Sequence, residues 1–220
     1  MKRSTRSFLV VIIILLSLAA VSCAKQQDSQ PKQTNESANV NVKNNGSAVK
    51  SSKPGDFFPS ASGLSWEYQG EGNEYATFTR KVVFTDGDLA QIREDNGGTV
   101  SASVYQITPE AVTRKFFLGE AYDETNYLKN EPNQNLIIIE SPLEVGTKWN
   151  DPNGTKEIVD IKASVDTPVG NFTDCLKIKI PNQGSIVYEY YKEGIGLVKR
   201  EFISDGNKIT SSLKKYGLEK

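Results

Sequence analysis

The residues able to do chemistry are few. No histidine occurs among the 220 residues, which removes the usual general base near neutral pH and the commonest metal ligand. Two thiols are present, Cys23 and Cys175. Cys23 directly follows an apolar run and is placed for modification; Cys175 stands alone after it, so no intramolecular disulfide and no thiolate metal cluster can form in the chain beyond residue 23. Lys177 and Lys179, on its own strand face, could lower the pKa of Cys175, but no base is available to activate it, and a small side chain in a sheet is the simpler reading. Glu120, Asp123 and Glu124 form the densest acidic group. Neither a calcium-loop spacing nor a framed acid pair accompanies them. No glycine loop follows a strand and opens a helix, so nucleotide chemistry has no carrier. The expectation is a non-enzymatic chain with no cofactor and no metal.

What places Cys23 is the leader. Lys2, Arg3 and Arg6 precede an apolar run from Phe8 to Ala20, interrupted by Ser17, and Ala20-Val21-Ser22-Cys23 follows. That layout is a secretory signal, with an apolar segment too short to span a bilayer as a helix. Small residues followed by cysteine resemble the lipobox of bacterial lipoproteins, with Ala20 where leucine is most common. The resemblance implies that residues 1–22 are removed and that Cys23 carries a diacylglyceryl group, its partner being the membrane. Two acyl chains suffice for stable anchoring. The expected location is the cell membrane, facing outside the cytoplasm.

With the three basic residues of the leader gone, 23 Lys and Arg stand against 27 Asp and Glu, a balance of −4. No basic excess points to nucleic acid. Residues 23–55 are dominated by Gln, Asn, Ser and Lys, with Val40, Val42 and Val49 as the only branched aliphatic residues. Such a stretch buries too little to offset its ordering entropy. It reads as a lipidated cysteine plus a flexible tether reaching about 30 Å.

Residues 56–220 suit one domain with a sizeable core. Ala76, Phe78, Val82 and Phe84 share one parity, broken only by Arg80; Val100, Ala102 and Val104 alternate with Ser101, Ser103 and Tyr105. Val159, Ile161, Ala163 and Val165 alternate with Asp160, Lys162 and Ser164, and Leu176, Ile178 and Ile180 with Cys175, Lys177 and Lys179. A period of two in segment after segment means half-buried strands. Only 120–128 could hold a turn of helix. The breaks TDGD (85–88), DNGG (95–98), DPNG (151–154), PNQG (181–184) and SDGN (204–207) are hairpin chemistry. The expected fold is all-β, mainly antiparallel, of about nine or ten strands. Roll, half-barrel and sandwich all fit.

Spacing also suggests two duplicated halves, 57–141 and 142–220. Trp66, the Asn96 turn and Phe117 in the first half recur as Trp149, the Asn182 turn and Phe202 in the second, although so few anchors also fit chance. On that reading Trp149, Phe117 and Phe202 are structural, and Gly194 and Gly196 make a turn. The functional rival is an aromatic platform for a ligand, made of Trp66, Tyr68, Tyr188, Tyr190 and Tyr191. Parity in SIVYEYY prevents all three of its tyrosines from facing one way.

Val145 to Trp149 (VGTKW), Thr167 to Phe172 (TPVGNF), Asp174-Cys175-Leu176-Lys177, and Tyr190-Tyr191 with Gly194 to Val198 resemble a group of poorly characterised bacterial envelope lipoproteins. Their pattern runs VGTxW, TPAGTFxNC, YYAxGVGLVK. Val169, Asn171 and Asp174 depart from it. The resemblance implies a secreted β-rich domain and brings no catalytic residues. Three functions stay open: a lipoprotein holding an apolar or amphipathic ligand such as a lipid, a surface module docking an envelope protein or cell wall, and a carboxylate-dependent hydrolase.

Overall fold

The computed structural model describes residues 51–219. The leader, Cys23 and the tether up to residue 50 lie outside the described residues. Twelve antiparallel strands form a single sheet. They are β1 (Leu64–Glu71), β2 (Phe78–Asp86), β3 (Leu89–Asp95), β4 (Val100–Ile107), β5 (Ala111–Leu118) and β6 (Leu136–Glu140), then β7 (Lys148–Asp151), β8 (Gly154–Thr167), β9 (Gly170–Asn182), β10 (Ser185–Lys192), β11 (Gly196–Ser204) and β12 (Asn207–Leu218). All five expected turns connect consecutive strands as hairpins. The count exceeds nine or ten because β6 and β7 are short, and the run Leu-Ile-Ile-Ile of β6 has no period of two to announce it.

Strand order is β6-β5-β4-β3-β2-β1-β12-β11-β10-β9-β8-β7. Two six-strand meanders therefore meet at β1 and β12, where Leu64 to Glu71 pair with Leu218 to Thr210. Coiling brings the sheet nearly closed, as twist demands of so many strands. Trp66 and Trp149 stand on the first strand of each meander, the Asn96 and Asn182 turns join the third strand to the fourth, and Phe117 and Phe202 lie on the fifth. Each fifth strand carries one bulge, at different places: Lys115 is the extra residue in β5 and Val198 in β11. In consequence Arg114 shares the interior face in the first half, but Arg200 rather than Lys199 does so in the second.

At the seam, β6 and β7 share no ladder. Side chains join them instead: the Trp149 indole Nε1 donates to the Ile137 carbonyl at 3.2 Å, and Lys156 Nζ donates to the same oxygen at 2.8 Å. Trp149 is buried, whereas Phe117 is 39% exposed at the rim of the interior.

Part of the hydrophobic core closes one end of the barrel. A 3₁₀ turn, Pro54–Phe57, buries Pro54, Phe57 and Phe58, and Phe58 packs on Tyr105 at 4.8 Å between ring centroids. The Asp56 carbonyl accepts from Gly194 N–H at 2.8 Å, so this segment plugs the end bearing the β10–β11 turn. The boundary expected at residue 55 falls inside this turn.

Two expectations need correction. Residues 120–128 form an irregular cover rather than a helix, because their backbone polar groups are taken elsewhere: Gln91 Nε2 donates to the Thr125 carbonyl and Tyr127 N–H donates to Gln91 Oε1. In β8 the single parity from Val159 to Val165 fails. Ile158 is fully buried while Ile161 is 40% exposed, since register shifts on both sides of Asp160 reverse the faces. Asp160 Oδ1 accepts from Lys162 N–H at 2.8 Å and holds that irregularity.

Candidate functional site

Alternation decides that β4 is a strand but not which face looks inward. Ser101, Ser103 and Tyr105 lie opposite Glu94, Ile92 and Ala90 of β3, on the interior face. Val100, Ala102 and Val104 face outward and are buried under the segment after β5, whose Ala121 N–H donates to the Val100 carbonyl. The interior at the end opposite the plug is thus polar. A cavity of about 600 Å³ opens there, between the β7–β8 turn, the start of β10 and the segment leading into β6. That is the size of a small-molecule site, in a place where barrels commonly hold one.

Four cations line this cavity, Arg80, Arg114, Lys156 and Arg200, against three carboxylates, Glu94, Asp151 and Glu189. Phe58, Phe117, Leu136, Ile138, Ile180 and Val187 supply apolar walls. Two carboxylates are fully engaged. Asp151 Oδ2 lies 3.1 Å from Lys156 Nζ, with both side chains buried. Glu189 Oε1 accepts from Arg200 Nε at 2.9 Å, and its Oε2 accepts from the Tyr191 hydroxyl at 2.6 Å. Burial alone would raise the pKa of Glu189, but Arg200 and the Tyr191 hydrogen bond outweigh it and hold the carboxyl below its ordinary value. Burial, followed by Glu189, pushes the Tyr191 phenol far upward, keeping it a donor.

Arg80 is less well served. Its side chain is 9% exposed, and Nη2 reaches the Tyr105 hydroxyl at 3.5 Å. Nε has Glu94 Oε2 at 3.4 Å but no hydrogen-bond partner. Burial opposes its charge, yet Tyr105 and Glu94 more than offset this, so the guanidinium stays cationic. Arg114 Nε donates to Gln134 Oε1 at 2.9 Å, and its guanidinium lies 4.9 Å from the Phe117 ring centroid. No carboxylate pairs with it among the described residues.

The aromatic platform divides. Trp66 and Tyr68 are buried in the core, donating to the Ile195 carbonyl at 2.7 Å and the Leu197 carbonyl at 2.8 Å. Tyr191 faces the cavity. Tyr188 and Tyr190 lie on the outer face, where Lys177 Nζ stands 4.4 and 5.0 Å from their rings and the Tyr190 hydroxyl donates to Glu201 at 2.9 Å. The cations of the cavity went unrecognised in sequence, although Arg80 showed a signal as the single charge in an otherwise apolar parity.

Cys175 is wholly buried in the core. Burial pushes its thiol up to about 11, with Lys192 pulling the other way. The sequence favours the inert reading of this thiol, and Lys177, which could have acted on it, lies over the outer tyrosines instead. Glu120 is held by the Tyr122 and Thr99 hydroxyls. Among the described residues no group of three or more His, Cys, Asp or Glu could hold a metal ion.

No family model matches the chain, and no curated protein does. Among solved structures, a protein from Bacteroides fragilis described as exported and having a YmcC-like fold is 14% identical, with a TM-score of 0.40 over 73% of this chain and 98% of that one. A protein from Parabacteroides distasonis described as a lipoprotein is 15% identical, with a TM-score of 0.40 over the same shares of the two chains.

Proposed function

We propose that this chain is a lipoprotein of the bacterial envelope, anchored through Cys23 outside the cytoplasm, that holds an amphipathic ligand in its barrel without catalysis. The observation that carries the ligand reading is the open cavity of about 600 Å³ with charged and apolar walls. A purely apolar ligand would strand the buried charges, and a purely polar one would leave the apolar walls wet. The leader and the VGTKW-to-GIGLV pattern support export and anchoring.

Docking through a sheet edge is disfavoured by the seam. The free edges, β6 and β7, are turned to one another and bridged by Trp149 and Lys156, so neither offers an open ladder. Hydrolysis finds little support in the cavity. A general acid at neutral pH needs a raised pKa, whereas the Glu189 carboxyl is held below its ordinary value by Arg200 and the Tyr191 hydrogen bond.

Native mass spectrometry of the full chain extracted from the membranes of its own host tests both parts. The expected result is a mass increment of a diacylated, processed Cys23 together with a co-purifying amphiphile. An unmodified Cys23 would overturn the anchor. A chain carrying its acyl groups and nothing else would overturn the ligand.

A further inference from the structure

Deepening the amphiphile reading, and resting on it for the tail, we infer that the ligand carries an oxyanion, a carboxylate or a phosphate, seated between Arg80 and Arg200 at the inner part of the cavity. Counting the pairs leads there. Lys156 is neutralised by Asp151 at 3.1 Å and Arg200 is engaged by Glu189 at 2.9 Å. Glu94 then remains for both Arg80 and Arg114, and it meets Arg80 Nε at 3.4 Å without hydrogen-bond geometry. One positive charge is left over among the seven charged lining residues.

Arg80 Nε is a buried donor without a hydrogen-bond acceptor, a costly state in a folded protein, and Nη2 has the Tyr105 hydroxyl at a long 3.5 Å. A guanidinium prefers the fork geometry of a carboxylate or phosphate to a single offset oxygen. Arg200 keeps a side-chain exposure of 34% while lining the cavity, so Glu189 leaves part of its fork unoccupied. The Tyr105 and Tyr191 hydroxyls flank the same space. Phe58, with its ring centroid 5.8 Å from the Arg80 guanidinium carbon, closes the floor. Arg114 stands above with no carboxylate of its own and draws an anion inward. A tail would then lie against Leu136, Ile138 and Ile180.

The test uses the full mature chain carrying Cys23→Ser, which needs no detergent, with calorimetric titration of decanoate, decyl phosphate, decanol and inorganic phosphate. At least one decyl anion is expected to bind about tenfold or more tighter than decanol, the yield of one charge-assisted pair. Arg80→Gln is expected to erase most of that preference. Arg114→Gln breaks no ion pair, keeps the fold, and is expected to reduce the preference a few-fold. If decanol binds as well as both anions, or if neither variant shifts the preference, the oxyanion inference is overturned while the cavity reading stands. Inorganic phosphate binding as tightly as decyl phosphate would keep the oxyanion and overturn the amphiphile. No binding by any of the four overturns both.

Discussion

Lys156 Nζ lies 2.8 Å from the Ile137 carbonyl oxygen, tying β8 to β6 across a seam where the backbone ladder is interrupted. The same ammonium is 3.1 Å from Asp151 Oδ2, both side chains being at least nine-tenths buried. Removing one partner of such a pair strands the other charge, at a cost of about 3 kcal/mol or more, whereas replacing both by apolar groups is often close to neutral. Lys156→Met is therefore expected to lower urea stability by about that amount, and Lys156→Met with Asp151→Leu to recover most of it. Equal stability of the single and double variants would show that the hydrogen bond to Ile137, rather than the pairing, is what matters.

Glu189 makes stability depend on pH in a definite direction. Its folded pKa stands below the ordinary 4.5, against the push of burial, because of Arg200 and Tyr191. A carboxyl depressed by folding stabilises fully above its unfolded pKa, and that contribution is lost as pH falls through the folded value. Glu201, held down against burial by hydrogen bonds from Lys208 and Tyr190, adds in the same sense. Melting temperature is expected to be flat around neutrality and to fall in acid below pH 4.5. Glu189→Gln should melt lower at neutral pH and show a shallower acid slope; an unchanged slope would remove Glu189 from the account.

Most of the scaffold was legible because hairpins write themselves locally. The sequences TDGD, DNGG, DPNG, PNQG and SDGN each carry their turn chemistry, and each joins neighbouring strands in the structure. Closure was not legible, since pairing of β1 with β12 spans nearly the whole domain and has no local signature. Bulges at Lys115 and Val198 were equally silent, and they decide whether Arg114 and Arg200 look inward. A period of two marks a strand without saying which face meets the interior. For that reason Ser101, Ser103 and Tyr105 could not be read as cavity wall, and Tyr188 and Tyr190 could not be separated from it by composition.

Cys175 offers a probe of the core rather than a reactive thiol. It is fully buried with a pKa raised to about 11, so both access and thiolate fraction are low at mildly alkaline pH. In a Cys23→Ser variant, where it is the only thiol, disulfide-reagent labelling should be far slower than for a free thiol. The rate should rise with urea in step with unfolding. Rapid labelling of the native protein would mean that β9 opens on its own.

Gly194 and Gly196 bound the β10–β11 turn with φ of 74° and 93°, a region where an L side chain is strained by about 1 kcal/mol or more. Their surroundings differ. A Cβ on Gly194 would meet nothing within 4 Å, but one on Gly196 would come 3.3 Å from Pro59 Cδ, against the segment that plugs the barrel. Gly194→Ala is expected to cost about 1 kcal/mol and Gly194→Asn less, as asparagine tolerates positive φ. Gly196→Ala is expected to cost more than either, because it adds pressure on Pro59 and through it on Phe58. Urea denaturation ranks the three. Since Phe58 also floors the cavity, Gly196→Ala should weaken ligand binding where Gly194→Ala does not. Equal costs at the two glycines would show that the plug yields freely and that only backbone strain is felt at this turn.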